Sequence, residues 1–274
     1  MAAMHDGALQ TSAKSSTQEN YQEAYHYHIS CAAALLNERL SRSSFNIAAD
    51  RNAIWTTAAV LSSLASFARE AYNPELAWPL CPSSSSSLDW MDMHKGISVI
   101  YRLVSPVGPG GMFHDLIADP NHSFLVNKWI EDKRDGIEGI PPQFVTLCGL
   151  TPASNVHNSP YHATVRALAA IWDMECTPLT GFRFITFISL LQPEMKALLV
   201  QKDPRALVLL AYWYTKIFNL HFWWHQRAVI ECAAICIYLK RYHYLDPLVM
   251  DMLQYPLSRL DELNTGIPAL KPLF

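Results

Sequence analysis

The stretch that decides the fold is residues 203–241, which read DPRALVLLAYWYTKIFNLHFWWHQRAVIECAAICIYLKR. Asp203 is a typical helix N-cap, because its carboxylate can accept the free N–H groups of the first turn, and Pro204 suits the next position. Apolar side chains then cover most of the circumference as far as Phe218. A helix that is apolar nearly all round is surrounded by protein, so this segment predicts a central buried helix.

A second helix is predicted from about Trp223 to Lys240, after a break in the pattern at residues 219–222. The two helices meet at a corner that is dense in aromatic and imidazole rings: His221, Phe222, Trp223, Trp224 and His225. Such a density of flat rings suits the wall of an apolar pocket for a polycyclic ligand. The residues predicted to contact that ligand are Tyr212, Trp213, Lys216, Phe222, Trp223, Trp224 and Trp172.

The composition limits the class of protein. The chain has 274 residues, of which 50% are hydrophobic and 16% charged, with a formal net charge of −3. This balance argues against direct nucleic-acid binding, which needs a basic face. The six cysteines are scattered and no secretory signal is evident, so we expect free thiols in an intracellular protein. No uncharged apolar run reaches ~18 residues, so no membrane span is expected.

Helical spacing recurs through the rest of the chain. Residues 1–18 are predicted to be a disordered tail, and a Ser-rich loop is predicted at 81–88. Helices are predicted at about 19–42, at 50–72 with Asp50 as the cap, at 90–104, and in short pieces at 113–118 and 123–131, while 136–142 is expected to be an exposed crossing. Five helix starts in the second half of the chain pair a capping residue with proline: Ser159-Pro160, Thr177-Pro178, Gln192-Pro193, Asp203-Pro204 and Asp246-Pro247. With no convincing strand pattern, the chain is predicted to be all-α, with a single domain over 19–274 and an internal apolar pocket.

Few residues carry a catalytic signal. His221 and His225 have the i, i+4 spacing of metal ligands, but no carboxylate lies between them, and aromatic packing at a pocket rim is favoured. Glu231 lies in an apolar helix, where it either pairs with Arg227 four residues earlier or faces the pocket as an acid or base. The ion pair is the favoured interpretation. Lys216 is expected to extend its amine to solvent, with a Schiff base as the other reading.

Several short motifs together resemble one protein family. They are Trp78-Pro79-Leu80, Leu88-Asp89-Trp90 with Gly96, Asp203-Pro204-Arg205-Ala206-Leu207, Ala211-Tyr212-Trp213 and Trp223-Trp224. They resemble the C-terminal regulatory domain of fungal zinc-cluster transcription regulators of the sterol-uptake control type, over roughly residues 20–256. The resemblance implies an all-helical domain that binds a sterol-like ligand and can form a homodimer. The zinc cluster itself has no counterpart, because the chain contains no C-x-x-C pair and Lys14 is the single Lys or Arg among the first twenty residues.

Two functions follow from these observations. The favoured one is a stand-alone, cofactor-independent and metal-free enzyme of fungal secondary metabolism that cyclises, cycloadds (Diels-Alder type) or isomerises a terpenoid- or polyketide-like substrate by holding it in a reactive conformation. Glu231, His225 and His221 are then the catalytic candidates. The alternative is a non-enzymatic sterol-sensing regulator, or a truncated zinc-cluster transcription factor. A cytoplasmic location is expected for the enzyme and a nuclear one for the regulator.

Overall fold

The computed structural model describes residues 16–42, 47–67, 73–81, 88–106, 108–111, 114, 132–177, 180–218 and 224–263. Within these ranges the chain is all-α and contains no strand, as predicted. The helices are α1 (Ser16–Ser41), α2 (Ile47–Phe67), α3 (Asp89–Val104), α4 (Pro142–Cys148), α5 (His162–Trp172), α6 (Gly181–Ser189), α7 (Pro193–Val200), α8 (Pro204–Ile217), α9 (Trp224–Tyr242), α10 (Pro247–Met252) and α11 (Gln254–Glu262), with a short 3-10 helix at Pro74–Leu76.

The helices group into two compact units, one formed by residues 1–65 and 97–115 and the other by 66–96 and 116–274. In the first unit a small core forms around Ile54, Trp55 and Val104, where Trp55 meets Tyr101 edge-on at 5.5 Å. Because α2 begins at Ile47, Asp50 lies inside its first turn and is not the cap that was predicted. Its carboxylate accepts a hydrogen bond from Arg39 at 2.5 Å instead. The prediction of one domain over residues 19–274 stays a prediction.

Helix α8 is the centre of the second unit. It packs against α5, α6, α7, α9, α10 and α11, and its residues 206–215 are all buried. Asp203 caps α8, as predicted, by accepting the N–H of Ala206 at 2.9 Å. This confirms that the segment that is apolar all round is a core helix. Helix α9 begins at Trp224, one residue after the predicted start.

The cap-and-proline pattern predicted helix starts with mixed accuracy. Asp246 caps α10 by accepting the N–H groups of Leu248 and Val249, as predicted. Ser159 does not cap α5, because the chain makes one further turn and the helix begins at His162 after Tyr161. The short helix α4 was not predicted. The predicted disordered tail, residues 1–18, ends too late, because α1 already begins at Ser16. Three predicted segments lie wholly or mostly outside the described residues: the short helix at 123–131, the short helix at 113–118 except for residue 114, and most of the Ser-rich loop.

Residues 136–142, predicted to be an exposed crossing, are exposed only in part: Glu138, Gly139 and Pro142 are exposed, whereas Gly136 and Ile140 are buried. A buried arginine holds the beginning of this segment against α5. Arg166 is 1% exposed, and its guanidinium donates hydrogen bonds to the carbonyls of Glu138 at 2.5 Å and of Asp135 and Gly136 at 2.9 Å. His162, one turn earlier, also lies 2.9 Å from the Gly136 carbonyl through its Nε2. These hydrogen bonds give the buried carbonyls of the loop partners where it lies on the core.

None of the helices in the described part of the chain is both long enough and apolar enough to cross a membrane.

Candidate functional site

Three consecutive residues of α8 reach three different regions of the second unit, because neighbouring positions on a helix point about 100° apart. Tyr212 points to an aromatic cluster, Trp213 to the core against α6, and Tyr214 to a charged pair on α9. The hydroxyl of Tyr212 donates to the carbonyl of Met252 at 2.9 Å. The aromatic cluster and the charged pair described below are therefore both organised around α8.

The aromatic cluster consists of Phe144, Trp172, Tyr212 and Tyr255. The centroid of the Tyr212 ring lies 5.1 Å from those of Phe144 and Tyr255 and 5.6 Å from that of Trp172. Tyr212 and Phe144 are buried, whereas Trp172 and Tyr255 are half-buried. The cluster therefore reaches the protein surface on the side of Trp172 and Tyr255.

Lys216 borders this cluster, one helical turn after Tyr212. Its Nζ donates to the carbonyl of Trp172 at 2.5 Å and lies 4.2 Å from the centroid of that ring. The side chain is therefore held over the indole. The expectation that it extends its amine freely into solvent was wrong. Burial lowers the pKa of the Lys216 amine, with a smaller opposing effect from the Asp173 carboxylate. The arrangement places one cationic donor beside a flat apolar surface.

Trp213 is completely buried and its polar group is used internally. The indole N–H donates to the carbonyl of Phe184 at 2.7 Å, and the ring stacks on Phe187 at 5.5 Å and Trp90 at 6.3 Å. Contact between Trp213 and a ligand, as predicted from sequence, would require one of these rings to move.

A buried polar network joins α8 to α9 through Tyr214, Arg227 and Glu231. The Nε of Arg227 donates to Oε1 of Glu231 at 2.6 Å, which confirms the ion pair favoured from sequence. The Tyr214 hydroxyl donates to the other carboxylate oxygen, Oε2. Both oxygens of Glu231 thus have a protein partner. Burial, followed by the Glu231 charge, raises the pKa of Tyr214 well above its ordinary value, so this hydroxyl stays protonated.

An indole and an imidazole lie beside this network. The Arg227 guanidinium carbon is 4.7 Å from the centroid of Trp90, whose ring meets His94 edge-on at 5.8 Å. Burial, with a second contribution from the positive charge of Arg227, lowers the pKa of His94 to about 4. The His94 ring is therefore neutral at pH 7.

His225 lies half-buried in the first turn of α9, with its Nδ1 2.7 Å from the carbonyl oxygen of Phe218. Because a carbonyl only accepts, Nδ1 carries the proton, and in the neutral ring the lone pair is on Nε2. His221, Phe222 and Trp223 lie outside the described residues, as does the side chain of Trp224. The predicted pairing of His221 with His225 thus stays a prediction.

The described residues contain no group of three or more His, Cys, Asp or Glu side chains arranged to hold a metal ion. All six cysteines are free thiols, as predicted. Cys232 and Cys236 are buried on α9, and the Cys232 thiol contacts the carbonyl of Ala211 at 3.7 Å. This matches helix packing by small residues.

Sequence reasoning missed several residues of this region: Phe144, Tyr255, Tyr214, Trp90, His94 and Arg166. Arg166 carried a usable signal, since a charged residue within the apolar run Val165–Leu168 is the same pattern that singled out Glu231. The others carried no such signal. Tyr214 lies on α8 among many other apolar and aromatic residues, and only the packing of other helices brings Phe144, Tyr255, Trp90 and His94 towards α8.

No protein-family model matches the chain, and no curated protein and no solved structure matches it either. The resemblance to the sterol-uptake control regulators stays a prediction based on the short motifs.

Proposed function

We propose that this protein binds an apolar, sterol- or terpenoid-like molecule against the aromatic cluster and converts it by cyclisation, cycloaddition or isomerisation without a cofactor. The observation that carries the proposal is the half-buried pair Trp172 and Tyr255, backed by buried rings and bordered by the Lys216 amine. Flat ring faces suit a polycyclic apolar ligand, and a nearby donor can fix its orientation.

The chemistry proposed for this site needs positioning and one hydrogen-bond donor. Lys216 already places its amine 4.2 Å from the Trp172 ring, so the same amine can donate to a carbonyl of a molecule stacked on that ring. Polarising a carbonyl in this way favours attack on a conjugated double bond, as in a cycloaddition. His225, whose ring is oriented by the contact of its Nδ1 with the Phe218 carbonyl, is the candidate base. Glu231 is assigned a positioning role, because both of its oxygens already accept hydrogen bonds.

The second candidate function is a non-enzymatic sensor of the same class of ligand, in line with the regulators that the motifs resemble. The hydrogen bonds of Glu231 favour this second function. Both of its carboxylate oxygens already have partners within the protein, which makes Glu231 a poor acid or base toward a ligand. Both functions share the binding step and differ only in turnover.

The test is native mass spectrometry of the full chain with a panel of sterols and unsaturated terpenoids, followed by extraction and chromatography of the bound compound. A compound recovered with the same mass and a changed retention time supports the enzyme. A compound recovered unchanged, with stabilisation of about 2.7 kcal/mol at a hundred times its Kd, supports the sensor. Failure of every compound to bind would overturn both functions.

Two variants locate the site. Trp172→Ala removes the half-buried ring and is expected to weaken binding about tenfold. Lys216→Gln is expected to reduce turnover more than binding, because it removes the polarising amine and leaves the ring faces in place. The matched control is Lys196→Gln, which removes a lysine that pairs with Asp92 at another helix. Equal behaviour of the Lys216 and Lys196 variants would refute the role of the amine.

A further inference from the structure

The amine of Lys216 is held by neutral groups. Its Nζ donates to the main-chain carbonyl of Trp172 at 2.5 Å and lies 4.2 Å from the centroid of that ring. Within the part of the chain that the structure describes, no carboxylate forms an ion pair with Lys216. A carbonyl and a ring face take up N–H groups, so a neutral amine held in this way keeps its nitrogen lone pair for reaction.

Burial and two nearby charges decide how easily this amine loses its proton. Burial is the largest effect and lowers the pKa of Lys216, the Asp173 carboxylate raises it, and the Arg259 guanidinium lowers it again, with a lowered pKa as the result. Arg259 pairs in turn with Glu262. The neutral form of the amine, which is the form that attacks a carbonyl group, is therefore more abundant than for a lysine in open water.

The amine lies at the edge of a ring surface that a ligand can reach. Trp172 and Tyr255 are half-buried, with their ring centroids 5.5 Å apart, and the buried Tyr212 contacts both. Lys216 is half-buried as well and follows Tyr212 by one helical turn. A flat molecule that lies against these rings brings a carbonyl group at its edge next to Nζ.

We propose that Lys216 condenses with the carbonyl group of an apolar, conjugated aldehyde or ketone bound at the aromatic cluster and forms a protonated Schiff base with it. This inference rests on the proposed function, because it names the substrate class of the same site. The amine needs an electrophilic carbonyl carbon, and a conjugated compound is flat enough to lie against aromatic rings. An alcohol or a hydrocarbon of the same shape would bind but would not react.

The condensation balances without an oxidant, a reductant or a cofactor. The nitrogen lone pair of the neutral amine adds to the carbonyl carbon, and the C=O double bond opens as its oxygen takes a proton. Both hydrogens of the amine leave with that oxygen as water, and the C=N bond that remains takes up one proton from solvent. Water reverses these steps after conversion and releases the product from Lys216.

The protonated Schiff base activates the substrate more strongly than a hydrogen bond to its carbonyl oxygen. Its positive charge withdraws electrons from the neighbouring C=C bond, which promotes both attack by a diene and rotation about that bond. One intermediate on Lys216 thus serves the cycloaddition and the isomerisation in the proposed function.

The test treats the full chain at pH 7 with trans-cinnamaldehyde, a flat conjugated aldehyde, and sodium cyanoborohydride, which reduces a Schiff base to a stable secondary amine. Intact-mass spectrometry measures the adduct, and peptide mapping assigns it to a lysine. Lys216 is expected to react on the order of tenfold faster than Lys196, whose amine pairs with the Asp92 carboxylate. Trp172→Ala is expected to remove most of that preference, because it removes the ring surface that holds the aldehyde.

Lys216→Arg separates the Schiff base from a hydrogen bond, because a guanidinium donates hydrogen bonds but does not form the reducible C=N bond. With a panel of conjugated terpenoid aldehydes and ketones, this variant is expected to bind the compounds and to lose their conversion. Lys196→Gln is the matched control and is expected to keep the fast adduct at Lys216. Far-UV circular dichroism checks that each variant is folded.

The outcomes separate this inference from the proposed function. Labelling of Lys216 no faster than that of Lys196, or conversion retained by Lys216→Arg, would overturn the Schiff base and leave the proposed function in place. A fast adduct at Lys216 of the wild type without conversion of any compound would support the Schiff base and refute the enzyme.

Discussion

The buried ion pair between Arg227 and Glu231 allows a quantitative prediction. The two side chains are only 8% and 11% exposed, so water screens their 2.6 Å contact weakly. Substituting Glu231→Met leaves the Arg227 charge buried without its carboxylate and removes the acceptor of the Tyr214 hydroxyl. Loss of one partner of such a pair is expected to lower the free energy of unfolding by about 3–5 kcal/mol.

The same reasoning predicts recovery when the remaining partners are removed. Arg227→Met together with Glu231→Met eliminates both charges, leaving mainly the cost of the unsatisfied Tyr214 hydroxyl, about 1–3 kcal/mol. Adding Tyr214→Phe is expected to return stability close to that of the wild type. The double variant should therefore be more stable than the single Glu231→Met variant. If the two substitutions acted independently, their losses of stability would add and the double variant would be less stable.

The assay is urea unfolding at pH 7 followed by far-UV circular dichroism, with the slope compared among variants to confirm that the same surface is exposed. Glu75→Met is the control, because it breaks an ion pair that water screens. The side chains of Glu75 and Arg241 are 34% and 41% exposed. The control is expected to cost under about 1 kcal/mol. A Glu231→Met variant within about 1 kcal/mol of the wild type, or a double variant that loses the sum of the two single effects, would refute the argument.

Two further predictions concern pH and backbone conformation. Because burial lowers the pKa of His94 from 6.5 to about 4, the unfolded chain binds its proton more tightly, and stability is expected to fall by about 3 kcal/mol as pH drops through that window. His94→Gln should abolish this loss of stability at low pH, and the control His157→Gln, on an exposed turn, should show it as the wild type does. Identical dependence of the free energy of unfolding on pH in the two variants would contradict the role given to His94. Gly136 and Gly149 both have positive φ, but a Cβ at Gly136 would lie 2.9 Å from the carbonyl oxygen of Pro152, whereas nothing lies within 4 Å at Gly149. We expect Gly149→Ala to cost about 1 kcal/mol and Gly136→Ala clearly more in the same assay, and equal costs would show that the clash is relieved by movement of the loop.

Part of the candidate site could be predicted from local signals. The i, i+4 spacing of Arg227 and Glu231 already placed the two charges within reach on one helix face, and the structure confirms the pair. The third member, Tyr214, was unpredictable because it lies on a different helix. Its hydroxyl reaches Glu231 only through the packing of α8 against α9, which periodicity along either helix does not encode.

The sequence by itself determined the all-α class, the central buried position of α8 and the caps at Asp203 and Asp246, because these depend on the order of apolar and capping residues within a few turns of helix. Only the tertiary structure decided that the chain before α4 is held to the core by Arg166 and that Phe144 and Tyr255 meet at Tyr212. The physical reason is that these contacts join residues far apart in the chain. Their geometry follows from how whole helices pack, and no local pattern of spacing or charge records it.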